Sequence, residues 1–320
     1  MNLNRFSGFQ SQFHERWGDL NDPHVRALAW LLYAPDLLDS HAAQWHGRIA
    51  TLADTLPSHI DGWLHTLDRQ PETLHRHLDL QPFARLGRYA EKLMAFYLEH
   101  QGMLVAHGVQ VRADKNRTIG EFDFLLNINR QFVHWEFATK FYLLESTGCG
   151  HDADYFVGPN LADTLGAKMR KIFDQQLMLS QHPAAAQYLP EPVVLAQALV
   201  KGWLFYHDNV SDDVQTAGTS RMHCRGFWCL LSEASEIDAE LYAILPRLDW
   251  LAPARLPAEQ TMNRRTLLAT LDEYFAGDTM PVMVALLKEK DGTAIETSRG
   301  FVVPDDWRTR AGYRTKAIGR

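Results

Sequence analysis

The sequence contains few cysteines and no long apolar run, and both absences limit what the protein can be. Its three cysteines, Cys149, Cys224 and Cys229, are too few to form a disulfide framework in a chain of 320 residues, so we expect a reducing compartment. No apolar run approaches the about 20 residues that a membrane span needs. The first residues also lack the basic and apolar regions of a signal peptide. We therefore expect a cytoplasmic protein that does not enter a membrane.

Several catalytic motifs are missing as well. The chain has no phosphate-binding loop of the GxxxxGK type and no GxSxG serine elbow, which argues against P-loop ATP hydrolysis and serine-dependent ester hydrolysis. Its net charge of −7 argues against a protein that coats nucleic acid through overall charge. A local basic groove remains compatible with that charge.

The composition is that of a globular protein, with 46% hydrophobic and 22% charged residues. Local patterns divide the chain into a helical N-terminal region (1–80), an α/β core (81–206), a strand-rich C-terminal region (207–306) and a basic tail (307–320). Asp22 followed by Pro23 predicts the start of a helix. The tail contains five basic residues and no acid, which favours a frayed, solvated end. The expected class is α/β (α+β), with one mixed sheet flanked by helices.

Within the core, the apolar periodicity changes from helical to strand-like after Gly102. It predicts a helix at Leu86–His100, strands at Met103–Val111, Glu121–Ile128, Gln131–Leu144 and Pro192–Tyr206, a polar turn at Asp114–Gly120, and a helix at Leu161–Gln181. In the C-terminal region it predicts strands at Gly226–Leu231 and Glu240–Leu245, a helix at Leu267–Phe275, and a hairpin formed by Pro281–Lys288 and Ala294–Val303.

Two acids lie in the middle of adjacent strands that are otherwise apolar. Burying Asp123 and Glu136 costs several kcal/mol unless they are paired or bind a cation. A short turn between the strands brings them close together, and two carboxylates suit Mg²⁺, which also takes water and phosphate oxygens. Glu91, on the preceding helix, is placed to supply a third oxygen. Lys140 shares the strand face of Glu136, where it would stabilise a phosphate oxygen.

Three segments carry a family resemblance: GRYAE at 87–91, IGEFDFLL at 119–126 and WEFATK at 135–140. Together they resemble the PD-(D/E)XK nuclease superfamily, in which a helix glutamate, a strand aspartate and an acid with a nearby lysine form the metal site. The whole chain also resembles a bacterial family of unknown function, number 1853 in the domain-of-unknown-function series, which is regarded as part of that superfamily.

The resemblance implies a restriction-endonuclease-like fold with Mg²⁺ or Mn²⁺ held by Glu91, Asp123 and Glu136. It implies hydrolysis of phosphodiester bonds, with DNA favoured over RNA as the partner. In the superfamily pattern one residue separates the acid from the lysine, and here Ala138 occupies the lysine position. The role of the pattern lysine therefore falls to Lys140 or to a group of the following helix, where Lys168 and Gln176 are the candidates that could substitute.

Other interpretations stay open at this stage. In one of them, Asp123 pairs with Lys140 or an arginine inside the sheet. In another, the chain is an inactive nuclease-like module that binds nucleic acid or a protein. Two further clusters contain metal-ligating residue types. They are the HxHxD match at His75–Asp79, which we expect on a solvated helix face, and Cys149 with His151, Asp152 and Asp154, which lack the paired spacings of a zinc site.

Overall fold

The computed structural model describes residues 8–52, 56–79, 85–114, 117–145, 153–207 and 216–318, with the backbone alone at 316–318. The α-helices in these ranges are α1 (Gly8–Trp17), α2 (Pro23–Tyr33), α3 (Ile60–Arg69), α4 (Glu72–Leu78), α5 (Leu86–His100), α6 (Leu165–Lys171), α7 (Arg264–Gly277) and α8 (Trp307–Ile318). Among the described residues, no helix combines the length and apolar character required to cross a bilayer.

Ten strands in the described ranges join one mixed sheet. They are β1 (Leu104–Asp114), β2 (Arg117–Ile128), β3 (Gln131–Leu144), β4 (Phe156–Val157), β5 (Leu195–Tyr206), β6 (Cys224–Leu230), β7 (Leu241–Ile244), β8 (Arg255–Pro257), β9 (Val282–Lys290) and β10 (Thr293–Val303). The spatial order is β1-β2-β3-β5-β6-β10-β9-β7, while β4 pairs with β3 and β8 with β10. The central pairs β3/β5, β5/β6 and β6/β10 are parallel, and the outer pairs are antiparallel. Strands from both sides of residue 206 therefore share one sheet.

Helices cover both faces of this sheet. One face packs against the N-terminal helices in a cluster that contains Trp30 of α2, Leu93 of α5 and Trp203 of β5. The other face packs against α6 and α7 in a cluster that contains Met169 and Leu267. Because both faces are covered, β3 and β5 have nearly continuous buried runs rather than an alternating pattern, as expected for parallel central strands.

Several local predictions are confirmed. The Asp22 side chain accepts hydrogen bonds from the N–H groups of His24 and Val25 and caps α2, with Pro23 at its first position. The helix Leu86–His100 and the strand Gln131–Leu144 have the predicted bounds. The hairpin of β9 and β10 also forms, with Asp291 and Gly292 both at positive φ in its turn.

The prediction of one continuous helix over Leu161–Gln181 is wrong. Leu161 has a φ of 59°, which interrupts a helix, and Thr164 caps α6 by accepting from the N–H of Ala167. After Lys171 the chain widens into a π-helix at Ile172–Gln176. A π-turn inside a helix often accompanies a functional site.

Two further predictions are also wrong. The polar turn is shorter than Asp114–Gly120, because β2 already begins at Arg117 and pairs with β1 there; residues 115–116 lie outside the described ranges. The basic tail is not frayed over its described part, since 307–318 forms α8 and Trp307 is fully buried at its start. That indole supplies the apolar anchor that a count of charges does not reveal.

Candidate functional site

β2 and β3 separate at the point where the two predicted acids lie. In the described chain their paired register ends at Phe124 and Trp135, and Asp123 and Glu136 are the next residues on the two strands. In place of another backbone pair, Asp123 Oδ2 accepts a hydrogen bond of 2.9 Å from the N–H of Phe137. The divergence therefore puts a carboxylate where a backbone carbonyl would otherwise complete the ladder.

The Glu136 carboxylate is buried and held from two sides. Its side chain is 2% exposed, and Oε1 lies 2.8 Å from Nε2 of His134. Gln176, at the end of the π-helix, donates from Nε2 to Oε2 at 2.5 Å. Sequence patterns pointed to Gln176 as a candidate, and the structure brings it to Glu136.

His134 is a member of this cluster that the sequence reasoning missed. Its imidazole is fully buried, and burial lowers its pKa to about 4, so it is neutral at pH 7. A neutral ring that donates from Nε2 to an ionised Glu136 leaves Nδ1 as an acceptor, and Nδ1 has no hydrogen-bond partner among the described residues. The available signal was its position two residues before Glu136, on the same strand face.

The acid pair has strongly perturbed proton affinities. Burial, and after it the charge of Glu136, raise the pKa of Asp123 to about 8. Burial also raises the pKa of Glu136 to about 8. The two carboxylates accept hydrogen bonds from Phe137, His134 and Gln176, all of which are neutral groups, and Asp123 also hydrogen-bonds Glu136. The pair therefore retains a proton near neutral pH, and a divalent cation bound there would displace it.

Glu91 of α5 lies near the pair but already has a partner. Its Oε1 is 3.5 Å from Nε2 of His107, and its charge contributes to the raised pKa of both Asp123 and Glu136. Within the part of the chain that the structure describes, no group of three or more His, Cys, Asp or Glu side chains is arranged to hold a metal ion. The structure thus assembles a two-carboxylate centre, with Glu91 beside it rather than joined to it.

Lys140 lies farther along the unpaired edge of β3, where it lines a cavity of about 250 Å³ together with Arg85 and Arg247. Burial, and after it the charge of Lys168, lower the pKa of Lys140 to about 8, while the charges of Asp163 and Asp123 act in the opposite direction. The predicted cations Lys140 and Lys168 are therefore close enough to influence one another, and the charge of Asp123 also affects the pKa of Lys140.

The cavity is closed on another side by the loop between β4 and α6. Gly158, Pro159, Asn160 and Asp163 line it, and the N–H of Gly158 donates to the Asp163 carbonyl at 2.9 Å. A Cβ atom on Gly158 would lie 3.0 Å from Asp163 Oδ1, so a side chain would crowd this tight turn. Three positively charged groups, an asparagine amide and the single carboxylate of Asp163 consequently line one cavity farther along β3 than the acid pair, and this net positive lining suits an anion.

Residues 26–303 match the model of a family described as domain of unknown function DUF1853. The match covers most of the chain. The chain belongs to this family. No curated protein and no solved structure gives a significant match. The family places no activity on the site, so the function must be argued from the geometry of these residues.

Of the two other metal-type clusters, the one at His75–Asp79 does not assemble, and most of the second lies outside the described residues. His75 lies 2.7 Å from Asp22, where its Nε2 bonds the acid that caps α2, and Asp79 ends α4. Cys149, His151 and Asp152 lie outside the described residues. Asp154 is bound by both terminal nitrogens of Arg170 at 2.8 and 2.9 Å, as a structural ion pair would be.

Proposed function

We propose that the protein is a metal-dependent nuclease of the PD-(D/E)XK type, with a restriction-endonuclease-like core, that hydrolyses phosphodiester bonds in DNA, with RNA as the second choice. The observation that carries this proposal is a pair of buried carboxylates held by neutral donors, with a cavity farther along β3 whose lining has three cations and one carboxylate. A structural role for the acids would favour a cation bonded directly to them. The carboxylates accept their bonds from uncharged groups instead.

The residues suit Mg²⁺ or Mn²⁺. Mg²⁺ is commonly held by one or two carboxylates and completes its octahedron with water and substrate phosphate, so Asp123 and Glu136 suffice as protein ligands. Glu91 would act as a third ligand only if it exchanged His107 for the ion. When bound, the ion supplies Lewis acidity, which neutralises charge on a phosphate and acidifies water.

The chain's own groups divide the remaining tasks. His134 and Gln176 fix the orientation of the Glu136 carboxylate, as outer hydrogen-bond partners of ligands do. Lys140, with its pKa lowered to about 8, keeps a proton at neutral pH and would donate hydrogen bonds to a phosphate oxygen. Lys168 lowers the proton affinity of Lys140, and the two cations together favour an anion in the cavity.

The packing around Ala138 explains why this position does not hold the lysine of the superfamily pattern. Ala138, at the position of the pattern lysine, is 7% exposed and belongs to the hydrophobic cluster of Met169 and Ile172. A lysine there would have to displace the packing of α6. Lys140 is two residues farther along the same face, roughly 7 Å away along the strand, and its long side chain can span part of that distance.

A cleavage assay tests the proposal. Supercoiled plasmid, linear duplex and single-stranded substrates are incubated with Mg²⁺ or Mn²⁺ and wild type, Asp123→Asn or Asp291→Asn. The last variant is a matched control, because Asp291 is exposed in the β9–β10 turn and asparagine tolerates its φ of 52°. We expect cutting by wild type and the control, and a loss of at least about 1,000-fold in Asp123→Asn.

The second candidate function is a nuclease-like module that binds nucleic acid or a protein partner without cutting. Two observations favour it: both Glu136 oxygens already accept hydrogen bonds, and a packed alanine, Ala138, occupies the position of the pattern lysine. Folded wild-type protein that cuts none of the substrates, with a melting temperature unchanged by either metal, would support this module and end the nuclease proposal.

A further inference from the structure

Helix α8 is hydrogen-bonded to the loop between β4 and α6, which lines the cavity. Its first residue, Trp307, donates from Nε1 to the Pro159 carbonyl at 3.0 Å, and Pro159 lines the cavity. Near the other end, Arg314 donates from a terminal nitrogen to the Ala162 carbonyl at 2.5 Å. These two anchors place the helix beside the candidate site.

The helix concentrates positive charge in a chain whose net charge is −7. Residues 307–320 contain five basic residues and no acidic residue. Arg308 lies over the Trp228 ring, 5.1 Å from its centroid, and is occupied by that contact. Arg310, which is partly exposed, and Arg314, which is exposed although one of its nitrogens bonds Ala162, are the described cations on the outer side, where a polyanion can reach them.

An aromatic ring lies between these two arginines. Tyr313 is 70% exposed, which is unusual for a large ring on a helix that has buried positions available. Residues 310, 313 and 314 are spaced i, i+3 and i+4, so their side chains share one helix face. The face therefore presents cation, ring and cation in succession.

We propose that this face of α8, defined by Arg310, Tyr313 and Arg314, binds the substrate strand outside the cavity, and that the strand is single-stranded nucleic acid. The arginines contact phosphates and an unpaired base stacks on Tyr313, the combination that proteins use for strands of any sequence. In a duplex the base faces are covered by their neighbours, so an exposed ring finds no partner there. The inference rests on the proposed action on nucleic acid and adds the substrate form.

An anionic membrane surface fits this face less well. A helix that lies on a bilayer needs an apolar stripe. The apolar side chains described in α8, Trp307 and Ala311, are buried against the protein. Arg310 pairs with Asp306 at 3.2 Å, but Arg310 is partly exposed and the Asp306 side chain is 64% exposed, and such a solvated pair exchanges for a phosphate at little cost.

The test measures binding rather than cutting, so it stays informative if the nuclease proposal fails. Fluorescein-labelled dT20 and a 20-base-pair duplex are titrated with the full chain in EDTA, and anisotropy is followed from 50 to 300 mM salt. We expect Tyr313→Ala to weaken dT20 binding roughly five- to 140-fold and Tyr313→Phe to bind like wild type. Arg314→Ala should lower the slope of log affinity against log salt by about 0.7.

The control is Arg69→Ala, which removes the same charge from an exposed position on α3; it should leave dT20 binding within twofold of wild type. Melting curves verify that each variant is folded. Equal binding of dT20 by wild type, Tyr313→Ala and Arg314→Ala would overturn the inference. Tighter binding of the duplex than of dT20, or Tyr313-dependent binding to phosphatidylserine vesicles without binding to dT20, would also overturn it.

Discussion

The sheet buries two groups of acidic side chains, and the groups differ in what balances their charge. In β10 the Glu296 carboxylate is fully buried, and both of its oxygens accept hydrogen bonds from Arg299, at 2.6 and 2.7 Å. The remaining donors of Arg299 bond the carbonyls of Trp250 and Ala252, and its guanidinium lies 4.5 Å from the ring centroid of Trp203. This group is complete without any ligand.

The pair at the divergence of β2 and β3 is balanced differently. Asp123 and Glu136 accept bonds from an amide, an imidazole and a side-chain amide, which orient the carboxylates without neutralising them. The nearest predicted cation, Lys140, faces the adjacent cavity. A matched buried ion pair indicates a structural role, whereas we propose that the two unmatched acids with raised pKa form a site for a cation.

The largest expected effect comes from breaking the matched pair. Arg299→Met leaves Glu296 buried without a cation and the carbonyls of Trp250 and Ala252 without donors. We expect a loss of about 3–5 kcal/mol in the free energy of unfolding, measured by urea denaturation. Arg117→Met, at an ion-pair position with 70% exposure, should cost less than about 1 kcal/mol. A similar small loss for both variants would remove the contrast between the two groups.

Substitutions of Lys140 test the proposed role of the cation that accompanies the unmatched acids Asp123 and Glu136. Lys140→Met should lower the cleavage rate about 100-fold with little change in melting temperature, because it removes a donor to the phosphate. Since the pKa of Lys140 is about 8, the wild-type rate attributable to its ammonium group should decline above that pH. Lys140→Arg should retain activity at higher pH. Identical pH profiles for wild type and Lys140→Arg would assign the cationic role to another residue.

The unmatched acids should lower the stability of the metal-free protein at high pH. The folded pKa of Asp123 is about 8, well above the unfolded value, so its protonated form is retained on folding and its stability contribution is lost as pH rises toward 8. Asp123→Asn should therefore be more stable than wild type by roughly 2 kcal/mol at pH 8 in EDTA, with almost no difference at pH 4. Asp291→Asn should show no such pH dependence. A variant less stable than wild type at both pH values would mean that Asp123 is a structural acid.

The smallest expected effect concerns the orientation of Glu136. Gln176→Leu removes the donor to Oε2 and should weaken Mn²⁺ binding about tenfold, as loss of an outer hydrogen-bond partner usually does. Gln181→Leu, five residues later at an exposed position, provides the matched control. Equal Mn²⁺ affinity in both variants would show that Gln176 does not position the carboxylate.

Local sequence patterns predicted the structure correctly where a single physical preference decides it. Aromatic and β-branched side chains predicted the bounds of β3, and the Asp22-Pro23 pair predicted the start of α2. The closeness of Asp123 and Glu136 followed from the tight turn at Asn129 and Arg130, both of which have positive φ.

The missed features depend on backbone irregularities and on partners distant in sequence. Glu296 and Arg299 would face opposite sides of a regular strand, but the register of β10 shifts between Glu296 and Ser298, and that bulge brings them together. The π-helix at Ile172–Gln176 likewise changes which side chains of that segment face the sheet. No single-sequence period encodes either irregularity, and the parallel pairing of β3 with β5 is nonlocal as well.

Calorimetric titration of the metal-free protein with Mn²⁺ at pH 7.5 tests the central claim most directly, with wild type, Glu136→Gln and the control Asp291→Asn measured in two buffers of different protonation enthalpy. We expect Mn²⁺ to bind to wild type and to the control with release of about one proton, because the ion replaces the proton that the acid pair holds. Glu136→Gln should lose this binding. No binding by folded wild type, or equal binding and proton release by Glu136→Gln, would contradict the claim that the two unmatched acids form the metal site.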